Sequence, residues 1–172
     1  GDMAVIFGEL HRPECVTGKP VRIGGLPGRL EATGRGVAAA ARLAADRILQ
    51  RPLQDLTVAV QGFGNVGRWT ALFLSRMGAR VVGVGNIGGA VYSRKGLDII
   101  GLCDYAPERD DPVSGFSGGE AISNEDLLAL DVDILIPAAA ERTVTRDNAG
   151  RVRTRCIIEG ANDPVTEEAE QI

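Results

Sequence analysis

The chain has 172 residues, a formal net charge of −4 and a single histidine. The acidic balance gives no reason to expect nucleic acid or an anionic membrane as a partner. No apolar run approaches the ~20 residues of a membrane span, and no signal peptide is visible. Cys15, Cys103 and Cys156 show no metal or redox spacing, so we expect inert thiols in a reduced, cytoplasmic setting.

Apolar residues make up 44% of the chain and aromatic residues only 4%, so the core must be built from Val, Ile, Leu and Ala. Such a core is typical of a parallel sheet covered by helices. Residues 1–33 are rich in Gly and Pro and are predicted to be a leading segment that wraps the domain, the remnant of an interdomain join. Residues 34–172 are predicted to form the domain itself.

Gly36 to Arg51 is the clearest predicted helix, with Thr33 as its N-cap and Pro52 after its end. The predicted buried stripe contains several alanines and consists of Val37, Ala40, Ala41, Ala44 and Ile48. Alanines on a buried face allow another backbone to come close, and we expect that backbone to be the sheet.

A short apolar strand, Leu56 to Val60, is followed by a glycine turn and an apolar helix that ends at Gly78. Gly62, Gly64 and Gly67 give the spacing G-x-G-x-x-G, which in this context predicts a dinucleotide site. Phosphates would bind to free N–H groups at the positive end of the helix dipole. The alternative is a tight turn in a domain that has lost its ligand.

Further strands and helices are predicted in alternation. The strands are 80–85, 90–92, 132–136 and 156–159, and the helices are 96–106, 123–130, 145–152 and 166 onward, with an exposed loop at 107–119. This order predicts an α/β, Rossmann-like, doubly wound fold with a mostly parallel sheet and helices on both faces. Ligands would bind where the carboxyl ends of the strands converge, at 61–64, 85–86, 138–140 and 160–162.

Asn86 holds the position at which dinucleotide sites carry an acidic ribose ligand. The amide can bind a ribose hydroxyl more weakly than a carboxylate and does not repel a 2′-phosphate. Arg94 or Lys95, on the following hairpin, is expected to reach such a phosphate. The choice between NAD and NADP is therefore open, with NAD as the named cofactor and NADP possible.

No catalytic or metal-binding group is expected in the chain. We expect His11 to lie on the surface, Asp131 and Asp133 to be solvated at the far end of a strand, and Glu141 to start a helix. Glu159 is the one carboxylate with a plausible site position, although a structural role is equally compatible with the sequence.

Several motifs occur in an order that resembles the cofactor domain of glutamate dehydrogenases, within the Glu/Leu/Phe/Val dehydrogenase family. They are Thr17-Gly-Lys-Pro20, Glu31-Ala-Thr-Gly-Arg-Gly-Val37, Val58-Ala-Val-Gln-Gly-Phe-Gly-Asn-Val-Gly67, Gly96-Leu-Asp98, Asp131-Val-Asp-Ile-Leu-Ile-Pro-Ala-Ala139 and Glu159-Gly-Ala-Asn162.

The resemblance implies NAD(P)-dependent oxidative deamination of an amino acid by hydride transfer, or its reverse. By position it implies cofactor contacts from Thr33, Arg35, Gly62, Phe63, Gly64, Asn65, Val66, Gly67, Asn86, Ile87, Ala139, Ala140 and Asn162. It also implies an amino-acid or 2-oxo-acid partner only when a substrate domain is present, and it is compatible with a homo-oligomer.

The chain departs from the family in several places. The glycine-rich lysine motif of the substrate domain and the family's closing segment are absent, so we expect the cofactor-binding half of such an enzyme, expressed or encoded alone and inactive by itself. Asn86 and Ile87 replace the usual acidic ribose site, and Asp163 stands where glycine is common. These departures leave a second hypothesis open, a non-catalytic Rossmann module with weakened or lost cofactor binding.

Overall fold

A computed structural model describes residues 2–108 and 111–172. Its strands are β1 (Thr57–Gln61), β2 (Arg80–Asn86), β3 (Gly89–Tyr92), β4 (Glu120–Ile122), β5 (Ile134–Pro137) and β6 (Cys156–Ile157). Its α-helices are α1 (Asp2–Leu10), α2 (Ala32–Ala44), α3 (Asn65–Arg76), α4 (Ile99–Tyr105), α5 (Asn124–Leu128), α6 (Arg146–Ala149) and α7 (Glu167–Glu170).

Within the described residues the strands form one six-stranded sheet in the order β4-β3-β2-β1-β5-β6. β1 pairs in parallel with β2 and β5, and β5 pairs in parallel with β6. The hairpin strands β3 and β4 add an antiparallel edge. The predicted mostly parallel α/β fold is therefore confirmed.

Helices cover both faces of this sheet. Neighbouring residues of a strand point to opposite sides, and in β1 the side chains on both sides are apolar and buried. Val58 and Val60 of β1 pack in the larger core with α2, α3 and α4. Ala59 packs in a second core with Leu127 and Leu128 of α5. None of the described helices has both the length and the apolar character needed to cross a membrane.

Side-chain caps fix where the shorter helices begin, largely as the sequence predicts. Asp98 accepts a hydrogen bond from Gly101 N, and Ser123 accepts one from Asp126 N. Thr145 and Thr166 cap α6 and α7 in the same way. Each cap satisfies an N–H that would otherwise lack a partner in the first helical turn.

Helix α2 differs from its prediction in start, end, face and neighbour. The α-helix ends at Ala44 and not at Arg51, and a π-helical segment, Ala45–Leu49, follows it. Helix α2 begins at Ala32, so Thr33 lies inside the first turn and is not the N-cap. Ala40 and Ile48 are exposed, and the buried stripe is Gly34, Val37, Ala38, Ala41 and Ala44. The close backbone belongs to α3 and not to the sheet, since a Cβ on Gly34 would lie 2.8 Å from Thr70 N. Helical periodicity therefore predicted only part of the buried face: Val37, Ala41 and Ala44 are buried as expected.

Two elements were not predicted at all. Residues 2–10 form α1, which buries none of its side chains. Residues 120–122 form β4, which pairs with β3 at the edge of the sheet. Short edge strands carry little hydrophobic alternation, and this explains why β4 could not be recognised from its residue pattern.

Asp133 ties the beginnings of β1 and β5 together at the edge of the sheet where these strands start. Its side chain is only 12% exposed, so the predicted solvated charge is wrong. The carboxylate accepts hydrogen bonds from Thr57 N and Thr57 Oγ1, both at 2.9 Å, and from Arg51 at 2.6 Å. Burial would raise the pKa of Asp133, but these hydrogen bonds and the Arg51 charge outweigh it and lower the pKa below its usual value.

A lowered pKa in the folded state means that Asp133 stabilises the fold above the unfolded pKa of about 4, and that this contribution is lost as the pH falls through the folded pKa. We expect Asp133→Asn to lower the free energy of unfolding at pH 7 by about 1–3 kcal/mol. Denaturant titrations at pH 7 and near pH 3 should show this loss shrinking in acid. Asp131→Asn, at an exposed position nearby, is the control, and an equal loss at both pH values would contradict the role of the charge.

Candidate functional site

A cleft of about 710 Å³ lies at the edge of the sheet where β1, β2 and β5 end. The chain that follows β6 completes it. Its lining residues are Thr33, Gly62, Gly64, Asn65, Val66, Asn86, Ile87, Ala138, Ala139, Ala140, Glu141, Gly160, Ala161 and Asn162. The strand ends that the sequence predicted to converge therefore do meet in one place.

The glycine turn after β1 is built from backbone contacts that leave no room for side chains. Gly62 has a φ of +102°, and a Cβ there would lie 2.8 Å from the carbonyl of Ala138. A Cβ on Gly67 would lie 1.8 Å from the carbonyl oxygen of Gly62. Gly64 has a φ of −75°, which other residues also adopt, so conformation does not require glycine there.

The first turn of α3 faces the cleft with properties that suit an anion. Gly64 is the N-cap, and no side chain caps the helix. The first turn contains no acidic residue, and both Asn65 and Val66 line the cleft. The first N–H groups of a helix have no partner within it and carry the positive end of the dipole. A pyrophosphate therefore fits this turn.

The loop after β2 forms the next wall of the cleft. Asn86 donates from Nδ2 to the carbonyl of Asp111 at 2.9 Å, and its own carbonyl accepts from Nδ2 of Asn124 at 3.0 Å. The side chain of Ile87 is apolar and 64% exposed. This wall offers an amide and an apolar surface where related sites carry a carboxylate.

The proposed 2′-phosphate contact from Arg94 or Lys95 is wrong. β3 runs antiparallel to β2, with Gly89 opposite Asn86 and Tyr92 opposite Gly83. The hairpin then continues toward the start of β2, where Leu97 N bonds to the carbonyl of Val81. Arg94 and Lys95 therefore lie at the opposite end of β2 from the cleft.

Three of the residues predicted from the resemblance do not line the cleft. Phe63 is fully buried, and the guanidinium of Arg68 lies 5.0 Å from the centre of its ring. Gly67 lies beneath the turn, against the carbonyl of Gly62. Arg35 is exposed beside Glu31, with its guanidinium 4.9 Å from the centre of the Phe73 ring. Phe63 and Gly67 can contact a ligand only through their backbone.

Ala138, Glu141, Gly160 and Ala161 line the cleft but were not chosen as site residues. All but Glu141 fall within the strand ends that were predicted to converge. Their place at those strand ends could therefore have identified them as site residues. Glu141 does not start a helix, since α6 begins at Arg146. Glu159 is exposed and lines a different groove, which residues of β6, α6 and α7 also line.

The described lining of the cleft is almost entirely uncharged. Glu141 is the only charged residue among the described residues that line it. Burial raises the pKa values of the Cys103 and Cys156 thiols, which disfavours their thiolates. In the described part of the chain, no group of three or more His, Cys, Asp or Glu side chains could hold a metal ion.

Residues 24–172 match the family model of the glutamate/leucine/phenylalanine/valine dehydrogenases. The chain is 49% identical over 158 residues to the glutamate dehydrogenase of Thermotoga maritima, covering 91% of this chain and 38% of that protein. It is 44% identical over 156 residues to the NADP-specific glutamate dehydrogenase of Saccharolobus shibatae, covering 91% of this chain and 36% of that protein. The chain thus spans well under half the length of these relatives.

Solved structures agree with the sequence comparison. The hetero-hexameric glutamate dehydrogenase of Thermus thermophilus superposes with a TM-score of 0.83 at 31% identity, covering 98% of this chain and 40% of that one. The Plasmodium falciparum glutamate dehydrogenase gives a TM-score of 0.74 at 28% identity, covering 90% of this chain and 35% of that one. The chain therefore belongs to the glutamate/leucine/phenylalanine/valine dehydrogenase family.

Proposed function

We propose that this chain is the cofactor-binding part of a glutamate-type amino-acid dehydrogenase and that its cleft binds NAD, with NADP as the alternative. Residues 1–33 would connect it to the rest of the enzyme, and residues 34–172 would form the cofactor domain. The observation that supports this most strongly is the uncapped first turn of α3 beside a glycine turn that has no room for side chains.

The parts of a dinucleotide correspond to successive parts of the cleft. The N–H groups at Asn65 and Val66 would hold the pyrophosphate. Asn86 would accept or donate one hydrogen bond to the adenosine ribose, and Thr33, Ala140 and Asn162 would line the remainder, toward the nicotinamide. When bound, the nicotinamide supplies the hydride chemistry that oxidises the amino acid.

The reacting groups for the amino acid are proposed to lie outside these 172 residues. Among the described residues that line the cleft, none is a lysine, a histidine or an aspartate. A proton acceptor would have to lie within hydrogen-bond distance of the substrate. No described neighbour orients Glu141 for that role. The 172-residue chain by itself is therefore proposed to bind cofactor without turning over an amino acid.

Calorimetric titration of the chain with NAD and with NADP tests the proposal directly. We expect a dissociation constant below about 1 mM for NAD, in the range of ordinary cofactor and substrate affinities. We expect no change in nicotinamide absorbance when glutamate is added. If neither dinucleotide binds at millimolar concentration, the proposed function is wrong.

Asn65→Asp tests whether the first turn of α3 binds the pyrophosphate, separately from any general loss of the fold. A carboxylate in the first turn of α3 should stabilise the helix by about 0.3–1 kcal/mol through its dipole. It should also repel the pyrophosphate and weaken binding roughly tenfold or more. Thermal melts and calorimetry would therefore move in opposite directions. Gln171→Glu adds the same charge at an exposed position outside the cleft and should leave binding unchanged.

A second candidate function is a module whose cofactor binding has weakened, and the hydrogen bond from Asn86 to the carbonyl of Asp111 favours it. That bond occupies an amide hydrogen that a ribose would otherwise use. Under this reading Asn86→Asp frees the position and restores a carboxylate, so NAD binding should rise severalfold while NADP binding falls. Sub-millimolar binding of NAD by the unmodified chain would exclude this second function.

A further inference from the structure

One negative charge, that of Glu141, lies in a cleft wall that is otherwise uncharged among the residues the structure describes. The side chain of Glu141 is exposed, so a ligand in the cleft can approach its carboxylate directly. Within the described part of the chain Glu141 forms no ion pair. Its charge therefore acts on whatever occupies the cleft.

The neighbouring cation, Arg142, is directed away from the cleft. It does not belong to the described lining. Hydrogen bonds from the Glu168 N–H and the Thr166 hydroxyl, together with the charge of Arg142, lower the pKa of Glu168 in α7 below its usual value. The guanidinium thus acts on α7 and leaves the negative charge of Glu141 uncompensated.

The turn that carries Glu141 is held from both sides. Thr143 Oγ1 donates to the carbonyl of Ala140 at 2.9 Å, which closes the turn around Glu141. The N–H of Arg142 donates to the carbonyl of Asp163 at 2.8 Å, which ties the turn to the loop after β6. These two bonds fix the backbone of Glu141 at the wall of the cleft.

The order of the strands places Glu141 and Asn86 on opposite sides of the glycine turn. In the sheet, β1 lies between β2 and β5. Asn86 ends β2, whereas Glu141 follows β5. A dinucleotide whose pyrophosphate lies on the turn after β1 extends one half toward each side. Since the proposed function assigns the adenosine ribose to Asn86, the nicotinamide half lies on the side of Glu141.

The nicotinamide ring is the part of the cofactor whose charge differs between its two redox forms. The oxidised ring carries one positive charge, and the addition of a hydride removes it. A carboxylate beside the ring therefore stabilises the oxidised form and has no such effect on the reduced form. Repulsion between Glu141 and the pyrophosphate is the same for both forms, so it cancels when the two are compared.

We propose that Glu141 determines how strongly the cleft prefers the oxidised cofactor, NAD⁺, over the reduced cofactor, NADH. The inference rests on the proposed function and adds a redox preference to it. Because the interaction is exposed to solvent, its size is a factor of about three to ten in relative affinity. By linkage, the same interaction makes the bound cofactor harder to reduce by the same factor.

Calorimetric titration of the unmodified chain and of Glu141→Gln with NAD⁺ and with NADH tests this assignment. We expect Glu141→Gln to lower the ratio of the NADH to the NAD⁺ dissociation constant by about threefold or more, and this change to shrink in ~0.5 M salt. Glu120→Gln, at an exposed position on β4 outside the cleft, should keep the ratio of the unmodified chain. An unchanged ratio in Glu141→Gln would overturn the inference and leave the proposed function standing. Failure of both redox forms to bind at millimolar concentration would overturn both.

Glu141→Lys separates the charge of the side chain from its shape. The reversed charge should lower the ratio further than Glu141→Gln does, because a cation repels the oxidised ring and not the reduced one. Thermal melts of both variants should match the unmodified chain, since the side chain is exposed. Equal ratios in the glutamine and lysine variants would show that charge is not the cause and would overturn the inference.

Discussion

The close contact between the glycine turn and the end of β5 is the constraint on which the cleft depends. The backbone of Gly62 lies directly against that of Ala138 and Ala139, and the first turn of α3 lies against Gly62 through Gly67. Backbone at this distance leaves no space for a Cβ, so three segments of chain meet without side chains between them. The N–H groups of α3 can then face the cleft instead of being covered by the protein itself.

The two ends of the sheet use polar groups in opposite ways. At the end where β1 and β5 begin, Asp133 is saturated with donors from Thr57 and Arg51, and this fastens the strands together. At the other end, helix α3 starts without a capping side chain, and two amide oxygens have no donor among the described residues. One end carries satisfied interactions that hold the fold, and the other leaves the first N–H groups of α3 without a capping side chain.

The loop after β2 is where this chain differs most from the expected pattern, and the structure explains how the difference is accommodated. Asn86 is held between the carbonyl of Asp111 and the amide of Asn124. Arg68 supports the neighbouring segment by donating to the carbonyls of Ala106, Pro107 and Glu108.

A second departure from the family pattern, Asp163, is also accommodated by the backbone: it adopts a φ of +45° where glycine is common. Aspartate tolerates this left-handed conformation better than most residues.

Local patterns in the sequence determined the fold class, the glycine turn, and the helix starts at Asn124, Arg146 and Glu167. These features depend on residues close together in the chain: alternating apolar residues, glycine spacing, and capping side chains within one turn of the N–H groups they bond. The convergence of the strand ends followed from the parallel order alone. The thirteen residues drawn from the family resemblance include ten that line the cleft, because their motifs sit at those strand ends.

Only the tertiary structure decided which distant groups meet. Strand direction and register between distant segments decide which helix packs on α2 and which groups bond to Asp133. They also place Asn86 and Arg94 at opposite ends of β2. Sequence spacing carries no distance between such segments, since one change in strand direction moves a side chain from one end of the sheet to the other.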